Sequence, residues 1–117
     1  MRVPRVDRGR FNAYRVMWVY VFFDLPVQTK ADRKRYSDFR KSLLKFGFTM
    51  VQFSVYHRYC ASFEQVEVIK KRVKQAVPVD GLVSVMVITD KQFGNIAHFC
   101  KGKPGKKQEI PGQLMFF

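Results

Sequence analysis

The sequence predicts an α+β chain with its elements in the order β-α-β(β)-α-β. Three observations predict this. Val16 to Phe23 is an unbroken apolar run of strand length, β-branched or aromatic at every position but Met17. Two later stretches carry apolar residues at the 3.6-residue spacing of amphipathic helices. Between and after them lie segments rich in Val, Tyr and Phe. The 117 residues suit one domain, and a hydrophobic fraction of 47% supplies a core.

Residues 1–14 are polar and Arg-rich, with Pro4 and Gly9, and read as a flexible basic lead-in. Residues 15–100 read as the folded domain. Its first strand, Val16 to Phe23, is apolar on both faces and therefore central. Asp24-Leu25-Pro26 ends it, because proline cannot donate to a strand ladder. Lys30 to Phe46 reads as a helix with Tyr36, Phe39, Leu43 and Phe46 on one face, Thr29 as N-cap and Gly47 just past the end. Arg33 and Arg40 stack beside this stripe, and Lys34, Lys41 and Lys45 lie opposite.

Phe48 to Tyr59 reads as one bent strand or two short ones, a helix stop followed by core aromatics. Ser62 and Gln65 mark a capping box, and the helix that follows turns Val66, Ile69, Val73 and Ala76 inward until Pro78 stops it. Gly81 to Thr89 is the next strand, and Lys91 to Phe99 a short helix. Residues 101–112 form a basic Lys/Gly/Pro linker, and 113–117 an apolar terminal strand. This order is that of a ferredoxin-like βαββαβ sandwich, with both helices on one face of an antiparallel sheet. The other face needs a cover. A second copy supplies one, so a homodimer is expected, with the strand of Leu114, Met115, Phe116 and Phe117 adding to a partner's sheet edge.

The chain carries 22 Lys and Arg against 9 Asp and Glu, a net charge of +13. Such an excess attracts polyanions. No apolar run reaches the roughly 18 residues of a membrane span, and the Arg-rich start has no apolar signal region. Nucleic acid in the cytoplasm, with no membrane, is the expected setting. The charge lies in three runs: residues 1–15, residues 30–45 with Arg33, Arg35 and Arg40, and residues 101–107 with Lys101, Lys103, Lys106 and Lys107. Three runs with few compensating acids point to phosphate binding rather than to solvated faces. Cys60 and Cys100 have no metal or redox spacing and read as reduced thiols.

Asp24 is the sharpest single residue, a carboxylate after eight apolar residues. It reads either as a loop-starting residue that caps local amides or as a metal ligand, and sequence alone favours the loop. One carboxylate is a poor Mg²⁺ site, but a two-fold dimer brings in a second Asp24. Mg²⁺ there would polarise a phosphodiester and activate water. His57 and His98 stand far apart without partners at ligand spacing, and read as surface or satisfied structural histidines. No nucleophilic triad and no Gly-rich phosphate loop is present.

Val19-Tyr20-Val21-Phe22-Phe23-Asp24 resembles the first-strand motif of the Cas-two proteins of CRISPR adaptation. Gly47 to Tyr56, with its Val-Gln-Phe-Ser-Val-Tyr run, resembles that family's second signature, and Ser84 to Thr89 with Lys91-Gln92-Phe93 its last core strand and turn. The similarity covers Tyr14 to Phe99, and the Lys-rich, apolar-ending tail looks most like members from systems with a single large effector nuclease. The resemblance implies a homodimer that holds double-stranded spacer DNA and bridges dimers of the CRISPR integrase subunit, in antiviral spacer acquisition. It also implies a Mg²⁺-dependent nuclease activity on RNA or DNA through Asp24. Arg33 and Arg35 match arginines that would grip phosphates. Nuclease-active members often carry Arg before the Val-Gln pair, where this chain has Met50. That departure weakens the cleavage reading more than the DNA-holding one. Outside the family, a generic RNA-binding ferredoxin-like domain is the alternative.

Overall fold

The computed structural model describes residues 16–102. The lead-in 1–14, Lys103, Lys106, Lys107 and the expected terminal strand at Leu114, Met115, Phe116 and Phe117 lie outside the described residues. Within them the order is β1 (Met17–Asp24), α1 (Lys30–Lys45), β2 (Thr49–Gln52), β3 (Val55–Cys60), α2 (Phe63–Ala76), β4 (Leu82–Thr89) and the short α3 (Asp90–Gly94). The four strands pair antiparallel in the order β2-β3-β1-β4. This is the ferredoxin-like βαββαβ sandwich that the hydrophobic pattern predicts.

Strand β1 is central, as its two-sided apolar character requires. Met17, Val19, Val21 and Phe23 point toward the helices and are buried. They meet Phe39 and Leu43 of α1, Val66, Ile69 and Val73 of α2, and Tyr56 of β3. The ring of Phe23 lies edge-on to Phe39 at 5.0 Å. Helix α1 begins where Thr29 and Asp32 form a reciprocal capping box. It ends at Gly47, whose φ of +92° suits glycine. A Cβ there would stand 2.7 Å from Arg58 Nη1, which donates to the Phe46 carbonyl. Glycine meets the positive φ here and leaves room for that guanidinium at the helix end.

Three local readings need correction, and the open choice between one bent strand and two short ones is decided. Asp24 is the last residue of β1, paired with Leu82, not a residue beyond the strand. The segment 48–59 is two strands, because Ser54 takes a left-handed φ of 65° and the register shifts between Met50 and Gln52. That turn throws Phe53 outward, so it is no core aromatic, whereas Phe48 is buried. The last helix is shorter than Lys91–Phe99. Thr89 and Gln92 cap its start and Asn95 follows its end at Gly94.

Candidate nucleic-acid interface and carboxylate

Side chains alternate along β1, so Trp18, Tyr20, Phe22 and Asp24 project from the face away from α1 and α2. Register places Val55, His57 and Tyr59 beside them on one side, and Leu82, Ser84, Met86 and Ile88 on the other. Among the described residues, cover is found over only one end of this face. Phe93 of α3 stacks on Trp18 at 3.8 Å, and the Trp18 indole donates to Asp90 at 2.9 Å. Toward the Asp24 end the face is open, with Leu82 67% and Met86 43% exposed.

Asp24 is exposed, and among the described residues no side chain hydrogen-bonds to its carboxylate, a hard oxygen donor. It is a single donor: no group of three or more His, Cys, Asp or Glu stands together among the described residues. The described residues of one copy therefore do not by themselves supply a Mg²⁺ ligand set. Two copies meeting on this face would supply two carboxylates, which with waters and substrate phosphate is a set Mg²⁺ accepts.

The predicted phosphate-binding arginines separate on α1. Arg33 is exposed, but its Nη1 donates to the carbonyls of Val27 at 3.0 Å and Gln28 at 3.1 Å, bracing the β1–α1 loop. Arg35 lies on the other flank and pairs with Asp32 at 3.2 Å. The Thr29 N–H, with the Thr29 hydroxyl and Arg35, holds the Asp32 carboxyl below the usual range. Arg40 is exposed and makes no ion pair among the described residues. Lys34 pairs with Asp38 at 3.1 Å. Lys30, Arg33, Lys34 and Lys41 nevertheless line one open hollow on the outer side of α1. Lys101 is exposed beyond α3.

The two histidines are not as sequence spacing suggests. His57 is 5% exposed, its ring packed against Trp18 at 4.9 Å and Tyr20 at 5.1 Å. Burial, then the neighbouring charge of His98, lowers its pKa to about 4. Nδ1 of His57 and Nε2 of His98 are buried and find no hydrogen-bond partner among the described residues. The return of the chain past α3 brings together side chains 41 positions apart in sequence. Cys60 is a buried free thiol and Cys100 an exposed one. No helix among the described residues is long and apolar enough to cross a membrane.

Residues 17–96 match the model of the family described as CRISPR associated protein Cas2. The chain belongs to the Cas2 family. A relative from Flavobacterium psychrophilum, named CRISPR-associated endoribonuclease Cas2, is 49% identical over 92% of this chain and 94% of its own length. One of the same name from Parvibaculum lavamentivorans is 48% identical over 86% of this chain and all of its own length. A solved structure described as a crystal structure of Cas2 shares 25% identity with a TM-score of 0.56, covering 81% of this chain and 97% of that one. The Streptococcus pyogenes Cas2 structure at pH 6.5 shares the fold at a TM-score of 0.54 and 22% identity, covering 71% of this chain and 99% of that one. Family membership sets aside the reading of a generic RNA-binding domain outside it. Met50, just before the Val51-Gln52 pair, is exposed on the edge strand β2.

Proposed function

We propose that this chain is a dimeric Cas2 subunit of CRISPR adaptation that holds double-stranded DNA by its phosphates and bridges dimers of the integrase subunit. The observation that carries this reading is the exposed basic surface along α1, on a chain with a net charge of +13. Guanidinium and ammonium groups so placed contact phosphate and read no base edges. The second copy covers the open half of the sheet around Leu82 and Met86. The tail Leu114, Met115, Phe116 and Phe117 joins the partner's sheet or the integrase, and Lys101, Lys103, Lys106 and Lys107 before it add phosphate contacts. The setting is the cytoplasm.

A second reading is favoured by Asp24 and by the relatives' name, endoribonuclease. In it the two Asp24 carboxylates hold Mg²⁺, which when bound neutralises charge on a phosphodiester of RNA or DNA. The chain's own part is to present the carboxylates and to position phosphates with Arg33 and Arg35. Met50 in place of an arginine removes one such contact, which is why holding ranks above cutting.

One experiment separates the two. Asp24→Asn is expected to bind duplex DNA as the wild type does, with affinity falling steeply as salt rises, and to support spacer acquisition in cells while losing any Mg²⁺-dependent cleavage. Loss of acquisition with DNA binding intact would make the enzymatic reading the right one. Wild-type affinity indifferent to salt would refute the phosphate grip.

A further inference from the structure

Phe53 stands at the turn between β2 and β3 with 80% of its surface open. An aromatic ring left in water forgoes the burial that ordinarily stabilises it. Here the backbone enforces the exposure. Ser54 sits at φ 65°, in the region where non-glycine residues are uncommon. Its carbonyl accepts from the Phe23 N–H at 3.1 Å, and its hydroxyl bonds the Tyr36 hydroxyl at 3.1 Å. The Phe53 ring then lies beside the Tyr36 ring, centroids 6.1 Å apart and planes within 25°. Tyr36 braces the ring from behind and leaves its outer surface bare.

Charge frames the ring. Tyr36 lies on α1 with Arg33 one turn before it and Arg40 one turn after. Both arginines are exposed. Arg33 spends one nitrogen on the loop carbonyls, and a guanidinium carries five N–H donors. An aromatic surface between two cations is the arrangement that stacks a base and holds the phosphates on either side of it.

We propose that Phe53, backed by Tyr36, is a stacking platform for an unpaired base of single-stranded nucleic acid, with the flanking phosphates against Arg33 and Arg40. The inference rests on the nucleic-acid-holding role above and adds a substrate form to it. Bases inside a duplex are already stacked on one another and cannot use the ring. A single strand or a frayed end can, and with little sequence preference, because every base offers a π-face.

The test is a titration of the full chain with a labelled oligothymidine strand and with a duplex of equal length. Phe53→Ala should weaken single-strand binding by about 5- to 100-fold and leave duplex binding within about twofold. Phe53→Trp should retain it. The exposed ring contributes little to the core, so unchanged thermal unfolding of the alanine variant shows that the fold is kept. Single-strand binding that the alanine variant leaves intact overturns this inference alone. Equal losses for both nucleic acids also overturn it, as does a variant that binds both normally and fails only to dimerise, since Phe53 would then be a protein contact. A wild type that binds neither form removes the holding role together with the platform.

Discussion

Replacing His57 by Phe should remove much of the fold's acid sensitivity between pH 6.5 and pH 4. The His57 imidazole is enclosed by Trp18 and Tyr20 of β1 and by Phe93 of α3 at 5.6 Å. Thr49 of β2 is its neighbour in the sheet. The charged group facing it is His98, which is of the same sign when protonated, while the Asp90 carboxylate is engaged by the Trp18 indole. In the unfolded chain His57 takes up a proton near pH 6.5, and in the folded chain only near 4. Above pH 6.5 both states are neutral and the group is silent. As pH falls through the window the unfolded state binds more protons, so stability falls, and the loss is complete below pH 4. At about 1.36 kcal/mol per tenfold in proton affinity, the full loss is about 3 kcal/mol, and at pH 4.5 about 2.5 kcal/mol. Urea unfolding at pH 7.5 and pH 4.5 measures it, followed by emission from Trp18, the single tryptophan. Carboxylates titrate alike in both proteins, so the difference between their pH slopes isolates His57. Parallel slopes for wild type and His57→Phe would refute the reasoning.

Two further outcomes are expected. Gly47→Ala should destabilise by about 1–2 kcal/mol through its left-handed backbone alone. The new Cβ would also push Arg58 off the Phe46 carbonyl, so a denaturation midpoint equal to wild type would mean that this end relaxes freely. Arg40→Ala should weaken duplex binding to the same degree across sequences and reduce the slope of log K against log salt by about 1 for each contact removed. An unchanged slope would exclude Arg40 from the grip.

The fold was legible because its signals are local and agree with one another. Thr29 and Ser62 name the helix starts, Gly47 and Pro78 the ends, and the period of Phe39, Leu43, Val66, Ile69 and Val73 names the inner faces. The exposed place of Asp24 at the strand end was legible because a carboxylate after eight apolar residues marks where the buried run stops. The outward turn of Phe53 was not, since alternation alone puts Val51, Phe53 and Val55 on one face, and the left-handed Ser54 breaks that alternation. Nor was the meeting of His57 with His98, which requires the sheet order and the path past α3 together. The Arg33 bond to the Val27 and Gln28 carbonyls was hidden for a similar reason: helical spacing places a side chain on a flank and says nothing of where its guanidinium bends.

The relation of Asp24 to the basic helix bears on what the charge is for. Consecutive residues of β1 face opposite ways, Phe23 into the helix layer and Asp24 out of it. Helix α1 starts near the Asp24 end and runs back across the sheet, so Arg40 lies about 15 Å along it from Lys30. Arg40 is therefore displaced from Asp24 along the strand, and it belongs to the helix layer on the opposite side of the sheet from the carboxylate. A phosphate held by Arg40 is not one that Asp24 of the same copy can reach. A second copy seated on the open sheet would enclose Asp24 further, while leaving the outer surface of α1 free on both copies. The proposed grip at Arg40 and the carboxylate would thus use different surfaces, whereas Arg33 and Arg35, in the first turns of α1, lie toward the Asp24 end.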